Sequence, residues 1–138
     1  MLVFKIRNNL VTDMNIFEAT MICMKKYTNF SDRASRQEYW LFSLAMVLLS
    51  IIAGIVDSTL LGIPFFDLDF FTPISSIYLI TTLIPSVAVS VRRLHDVNKS
   101  GWWTLIVITG IGLIPLIYWA CKKSDETENH YGILTKNT

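Results

Sequence analysis

Three uninterrupted apolar runs restrict what this chain can fold into. Residues 39–56 hold 18 consecutive uncharged positions, residues 70–91 hold 22, and residues 100–121 hold another 22. As helix, 18 residues rise about 27 Å, close to the roughly 30 Å of a bilayer's hydrocarbon layer. A soluble helical bundle returns a polar face every turn, whereas these runs carry only scattered Ser and Thr. In hydrocarbon the backbone must satisfy its own hydrogen bonds, which leaves helices or closed barrels, and the runs lack a barrel's alternation. The expected fold is an all-α membrane protein with three transmembrane helices over 39–56, 70–91 and 100–121, forming one membrane domain across 1–138.

Charge sits outside the runs. Residues 1–38 hold ten charged side chains and residues 122–138 hold six, leaving seven for the 83 residues between them. Lys and Arg are retained on the cytoplasmic side of a membrane. Lys25, Lys26, Arg33 and Arg36 precede the first run, and Arg92, Arg93 and Lys99 follow the second. Between the first and second runs stand only Asp57, Asp67 and Asp69. The N-terminus is therefore expected inside and the 57–69 connection outside. Three crossings then carry the polar tail 122–138 outside, where Lys122 and Lys123 run against the charge rule.

Aromatic rings prefer the headgroup level. Tyr39, Trp40, Trp102 and Trp103 are expected as inner interface anchors, with Phe65, Phe66, Phe70, Phe71, Tyr118 and Trp119 as the outer belt. Residues 14–38 combine a basic motif with an N-terminal amphipathic helix. Met14, Phe17, Met21 and Met24 fall at helical spacing opposite Asn15, Glu18, Lys25 and Lys26, although Ile22 interrupts the polar side. Such a helix either lies in the interface or packs against the ends of the spans. The apolar stretch before Lys5 is too short for a cleavable signal, and no small-residue cleavage pattern follows.

A net charge of +1 offers no basic field for nucleic acid. Cys23 and Cys121 are far apart without metal-ligand spacing, so they read as packing residues, and no metal or cofactor is indicated. The strongest candidate site is Arg33, Arg36, Glu38, Arg92, Arg93, His95 and Asp96, all placed at one membrane face by the count of crossings. Arginines at a helix C-terminus can simply oppose the dipole and snorkel to the headgroups. Planar guanidinium groups can also clamp phosphate, as basic pockets at the inner face do with anionic lipid heads. Glu38 and Asp96 would then orient the arginines.

His95 beside Asp96 suggests a general base, but adjacent helical residues do not face each other and no nucleophile motif accompanies them. Asp57, at the end of the first run, reads as a turn or cap more readily than as a proton relay. Pro85 should kink the second span, with Ser86 as a local partner for the freed backbone. Ala53, Gly54, Ala88, Gly110 and Gly112 permit close helix approach, which suits a bundle, a homo-oligomer or a membrane partner protein. Ser75, Ser76, Thr81, Thr82, Ser86 and Ser90 form a faint polar stripe, leaving open an oligomeric channel or transporter component.

Two stretches resemble a known family. They are Tyr27-Thr-Asn-Phe30-Ser-Asp-Arg33-Ala-Ser-Arg36-Gln-Glu38-Tyr39-Trp40-Leu-Phe42, and Pro85 followed by Arg92-Arg93-Leu94-His95-Asp96-Val-Asn-Lys-Ser100-Gly101-Trp102-Trp103. With Gly54, Asp57 and Asn129-His-Tyr131-Gly132, they resemble domain of unknown function 805 (DUF805), small bacterial inner-membrane proteins of the YhaH and YhaI type. The resemblance covers about residues 24–132 and departs at Asp32, where the family usually has glycine. Such proteins begin shortly before the position of Phe30, which makes Met14 an alternative start. The resemblance implies a multi-pass inner-membrane location with the lipid bilayer as partner, and carries no activity.

Overall fold

The structure is a computed structural model that describes residues 14–62, 72–124 and 128–132. Its described residues form four α-helices and one 3-10 helix, with no strand among them. Helix α1 (Ile16–Lys25) starts on a reciprocal cap. Asn15 Oδ1 accepts from the Glu18 amide at 2.8 Å, and Glu18 Oε2 accepts from the Asn15 amide at 3.3 Å. The helix docks through its small residues Ala19 and Cys23, leaving Phe17 and Met21 exposed. The stripe expected from spacing is therefore split. Met24 joins the core, but backbones approach most closely where side chains are short, so Phe17 and Met21 turn outward.

Helix α2 (Arg36–Leu61) and helix α3 (Pro73–Asp96) are the two described helices long and apolar enough to cross a membrane. Both extend beyond the uncharged runs because a helix continues through charges that find partners. Ser35 caps α2 by accepting from the Glu38 amide at 3.1 Å, and Gly62, at φ 66°, ends it in the left-handed conformation. Pro73 opens α3, where its missing N–H costs nothing. Leu48, Ile52, Ile77 and Ile80 are exposed on the outer faces. A soluble protein's core helix would bury such residues; hydrocarbon solvates them. Residues 70 and 71 of the expected second span lie outside the described residues, as do Phe65, Phe66, Asp67 and Asp69.

Two polar contacts fix α3, one to α2 and one to the segment that follows α1. Asp57 is buried and accepts from the amides of Ile74 (3.1 Å) and Ser75 (2.8 Å) and from the Ser75 hydroxyl (2.7 Å). It thus caps α3 from the neighbouring helix, where a carboxylate also complements the dipole. Pro85 cannot donate to the carbonyl four residues earlier, which belongs to Thr81. The expected local partner Ser86 does not take up that carbonyl. The Tyr27 hydroxyl does, at 2.6 Å. The core between these helices is Phe42, Ala45, Met46 and Val89, with Cys23 and Ala34 contributed by the N-terminal segment.

The third apolar run departs most from expectation. Residues 100–121 are a 3-10 helix (Gly101–Thr109), a turn at 110–112 and helix α4 (Leu113–Cys121). The Trp103 and Trp119 rings meet at 5.6 Å between centroids. One straight helix would separate those residues by about 24 Å, so the run folds back on itself as a hairpin. Its limbs rise only about 18 Å and about 14 Å, each short of a roughly 30 Å hydrocarbon layer. Three residues make the hinge. Gly110 adopts φ 69°, a Cβ on Gly112 would overlap the Ile106 carbonyl, and Pro115 is tolerated in the first turn of α4.

The tail follows from the hairpin. Residues 129–132 form a tight turn closed by hydrogen bonds between Asn129 and Gly132. Asn129 Nδ2 donates to the His95 carbonyl at 2.9 Å, and Arg33 Nη1 donates to the Gly132 carbonyl at 2.9 Å. The tail therefore lies at the arginine end of the molecule, not at the opposite end as three crossings would require. Trp119, expected in the outer belt, likewise returns to the end that carries Trp103.

Candidate functional site: a buried arginine–carboxylate cluster

Six of the seven candidate residues converge where the last turn of α3 meets the segment entering α2. That segment is pinned by the Ala34 amide, which donates to the Arg92 carbonyl at 3.0 Å. Asp96 is fully buried and forms the centre. Its Oδ1 accepts from Arg33 Nε at 3.1 Å and Nη2 at 3.0 Å, and its Oδ2 accepts from Arg93 Nη1. Two guanidinium groups thus share one carboxylate, an arrangement that the planar, permanently charged fork of arginine favours.

Arg93 spends its remaining donors on the end of α4. Nε donates to the Ala120 carbonyl at 3.2 Å, Nη1 to Ser124 Oγ at 3.2 Å, and Nη2 to the carbonyls of Trp119 (3.4 Å) and Lys122. The last carbonyls of a helix have no partner within it and carry the negative end of its dipole. Arg93 is their cap. It is therefore the clasp that holds the returning limb of the hairpin to α3.

Arg92 joins α3 to α2 and α1. Its Nη1 donates to Glu38 Oε1 at 2.6 Å and its Nη2 to Cys23 Sγ at 3.7 Å, while the Cys23 thiol donates to Glu38 Oε1 at 3.6 Å. Burial, reinforced by the Glu38 charge, pushes the Cys23 thiol up from 9.0 to about 12. Since the folded chain keeps a proton that the unfolded chain releases, this contribution to stability is complete below pH 9.0 and is lost as pH rises through about 12. Cys121 is exposed. A soluble maleimide is expected to modify Cys121 alone in the folded protein and both cysteines after denaturation. Equal modification of Cys23 in the folded state would contradict its burial under Arg92.

His95 stacks face to face on Tyr131, with centroids 3.9 Å apart and planes 5° from parallel, and its buried Nδ1 has no hydrogen-bond partner. Asp96 turns its carboxylate to the arginines. His130, expected across the membrane from His95, packs edge-on against the same Tyr131. Among the described residues no three His, Cys, Asp or Glu side chains gather as a metal site.

Arg36 stands apart from the cluster. It is exposed, and its Nη1 lies 3.4 Å from the Cys121 carbonyl. The expected interface residues are Trp40, edge-on to Tyr39 at 5.5 Å, and the exposed Trp102 and Trp103, with Lys99 over the Trp119 ring at 5.7 Å. Arg33, Arg92 and Arg93 point inward and are 0–2% exposed. Cys23, Ser124, Asn129 and Tyr131 also belong to the site. Of these only Asn129 and Tyr131 carried a sequence signal, through the family motif in the tail.

The family described as protein of unknown function (DUF805) matches residues 27–133. Inner membrane protein YhaI of Escherichia coli K12 is 34% identical over 111 residues, covering 79% of this chain and 87% of the relative. Inner membrane protein YhaH of the same strain is 34% identical over 117 residues, covering 79% and 88%. No solved structure matches the chain. The matched region contains α2, α3, the hairpin and every residue of the buried cluster except Cys23. With that match and these two relatives, the chain belongs to the DUF805 family of membrane proteins.

Proposed function

We propose that this protein crosses the bacterial inner membrane twice, holds its third apolar segment as a re-entrant hairpin, and binds anionic phospholipid headgroups through the basic rim of its cytoplasmic face. The observation that carries the reading is the division of cations at the arginine end. Arg33, Arg92 and Arg93 are buried and occupied by carboxylates and carbonyls, while Arg36, Lys99 and Lys122 are exposed, Lys99 over the Trp119 indole. The buried arginines hold the scaffold, and the exposed cations make the contact surface.

The hairpin supports the topology, because a run that returns to its own end puts Lys122 and Lys123 beside Arg92 and Arg93 and removes the conflict with the positive-inside rule. The exposed Phe17 and Met21 of α1 suit insertion into the inner leaflet. Each exposed Lys or Arg near an anionic surface contributes about 1 kcal/mol before screening. After reconstitution in mixed phosphatidylglycerol and phosphatidylethanolamine, Lys99→Gln/Lys122→Gln is expected to reduce co-purifying phosphatidylglycerol on the order of tenfold. Lipid mass spectrometry reads the effect. Unchanged enrichment would remove the headgroup reading.

A further inference from the structure

Between α3 and the hairpin, beside the first turns of α2, lies a cleft of about 240 Å³. Its walls are mostly apolar, with Leu113 and Ala120 on the hairpin, and its polar groups come from Tyr39, Ser86, Ser90, Arg93 and Thr104. Two features mark it as more than a packing gap. The Thr104 hydroxyl oxygen is buried and has no hydrogen-bond partner. At the arginine end, the exposed Arg36 stands one turn from Tyr39 on α2, with its guanidinium 3.4 Å from the Cys121 carbonyl that follows Ala120. A cation therefore overhangs the end of an apolar cleft whose wall holds one unsatisfied donor.

Arg93, although part of the wall, has its donors occupied and presents no unpaired charge. The required occupant is apolar along its length, carries a hydrogen-bond acceptor one turn below the rim, and ends in a negative charge. We infer that the cleft seats one anionic glycerophospholipid: an acyl chain lies against Leu113, an ester carbonyl accepts from the Thr104 hydroxyl, and the phosphate meets Arg36 and Lys122. This rests on the headgroup reading above and narrows it from a basic rim to one built site.

The test presents delipidated protein in mild detergent with dioleoyl phosphatidylglycerol, dioleoyl phosphatidylethanolamine or inorganic phosphate, and counts retained molecules by native mass spectrometry. One phosphatidylglycerol per chain is expected, with several-fold less phosphatidylethanolamine and no retained phosphate. Ser90→Leu, which fills the cleft, is expected to abolish the retained molecule. Thr104→Val keeps the shape, removes one hydrogen bond and is expected to weaken retention about threefold. Wild-type retention in Thr104→Val together with Ser90→Leu would overturn the cleft site, and so would Thr104→Val alone if Ser90→Leu does not fold. Phosphate retained as well as lipid would overturn the lipid assignment. If Lys99→Gln/Lys122→Gln still loses its lipid enrichment in those cases, the rim reading survives while the cleft fails; if nothing changes, both fail.

Discussion

Replacing Asp96 with alanine is expected to cost about 3–5 kcal/mol, because it strands two buried guanidinium groups without their carboxylate. Asp96 is fully buried, and Arg33 and Arg93 beside it are each 2% exposed. Against a typical stability of roughly 5–15 kcal/mol, that loss is a large share of the whole. The damage should spread, since Arg93 also clasps the end of α4 and Arg33 also holds the tail at Gly132. Thermal unfolding in detergent checks the magnitude. Asp96→Asn, which keeps an acceptor oxygen, is expected to lie between wild type and Asp96→Ala. A variant Asp96→Ala as stable as wild type would mean that the cluster is not a closed network.

Glu38→Ala is expected to cost a similar 3–5 kcal/mol, since it leaves the fully buried Arg92 without its carboxylate. The energetics of such a pair are asymmetric. Taken together, two buried charges roughly balance their desolvation, so exchanging both for apolar residues is often neutral, whereas removing one partner is not. Adding Arg92→Met to Glu38→Ala is therefore expected to recover most of the loss. A double-mutant cycle by chemical or thermal unfolding measures the coupling, expected at the upper end of roughly 0.5–3 kcal/mol for contacting residues. Additive losses would show that the 2.6 Å contact contributes nothing specific.

How much of this was legible depends on what kind of group carries each contact. The two long helices were legible because lipid exposure selects composition alone, and the runs at 39–56 and 70–91 have it. Their extension into Arg36, Glu38, Arg92 and Asp96 was not, because a helix passes through charges only when partners exist elsewhere in the fold. The hairpin escaped for the same reason: apolarity measures solubility in lipid and says nothing of a hinge. Its traces were Gly110, Gly112 and Pro115 within six residues, and Lys122–Lys123 on the wrong side of a three-span topology.

The convergence of Arg33, Arg92, Arg93 and Asp96 was readable from the placement of basic motifs at one face. Their inward orientation was not. Long cationic side chains were expected to reach headgroups, and the groups that draw Arg93 inward are the carbonyls of residues 119, 120 and 122, which any residue type would supply. Asp57 shows the reverse case. A carboxylate at the end of an apolar run suggested a cap, and it caps, but it does so across to α3.

The proposed re-entrant placement of the third segment is tested most directly by single-cysteine labelling from either side of the membrane, in a background without Cys23 and Cys121. A membrane-impermeant maleimide is expected to label Lys99→Cys and Lys123→Cys from the same side, and Gly62→Cys from the other. If Lys123→Cys were labelled together with Gly62→Cys, residues 100–121 would cross the membrane, and the clasp between Arg93 and the end of α4 could not exist.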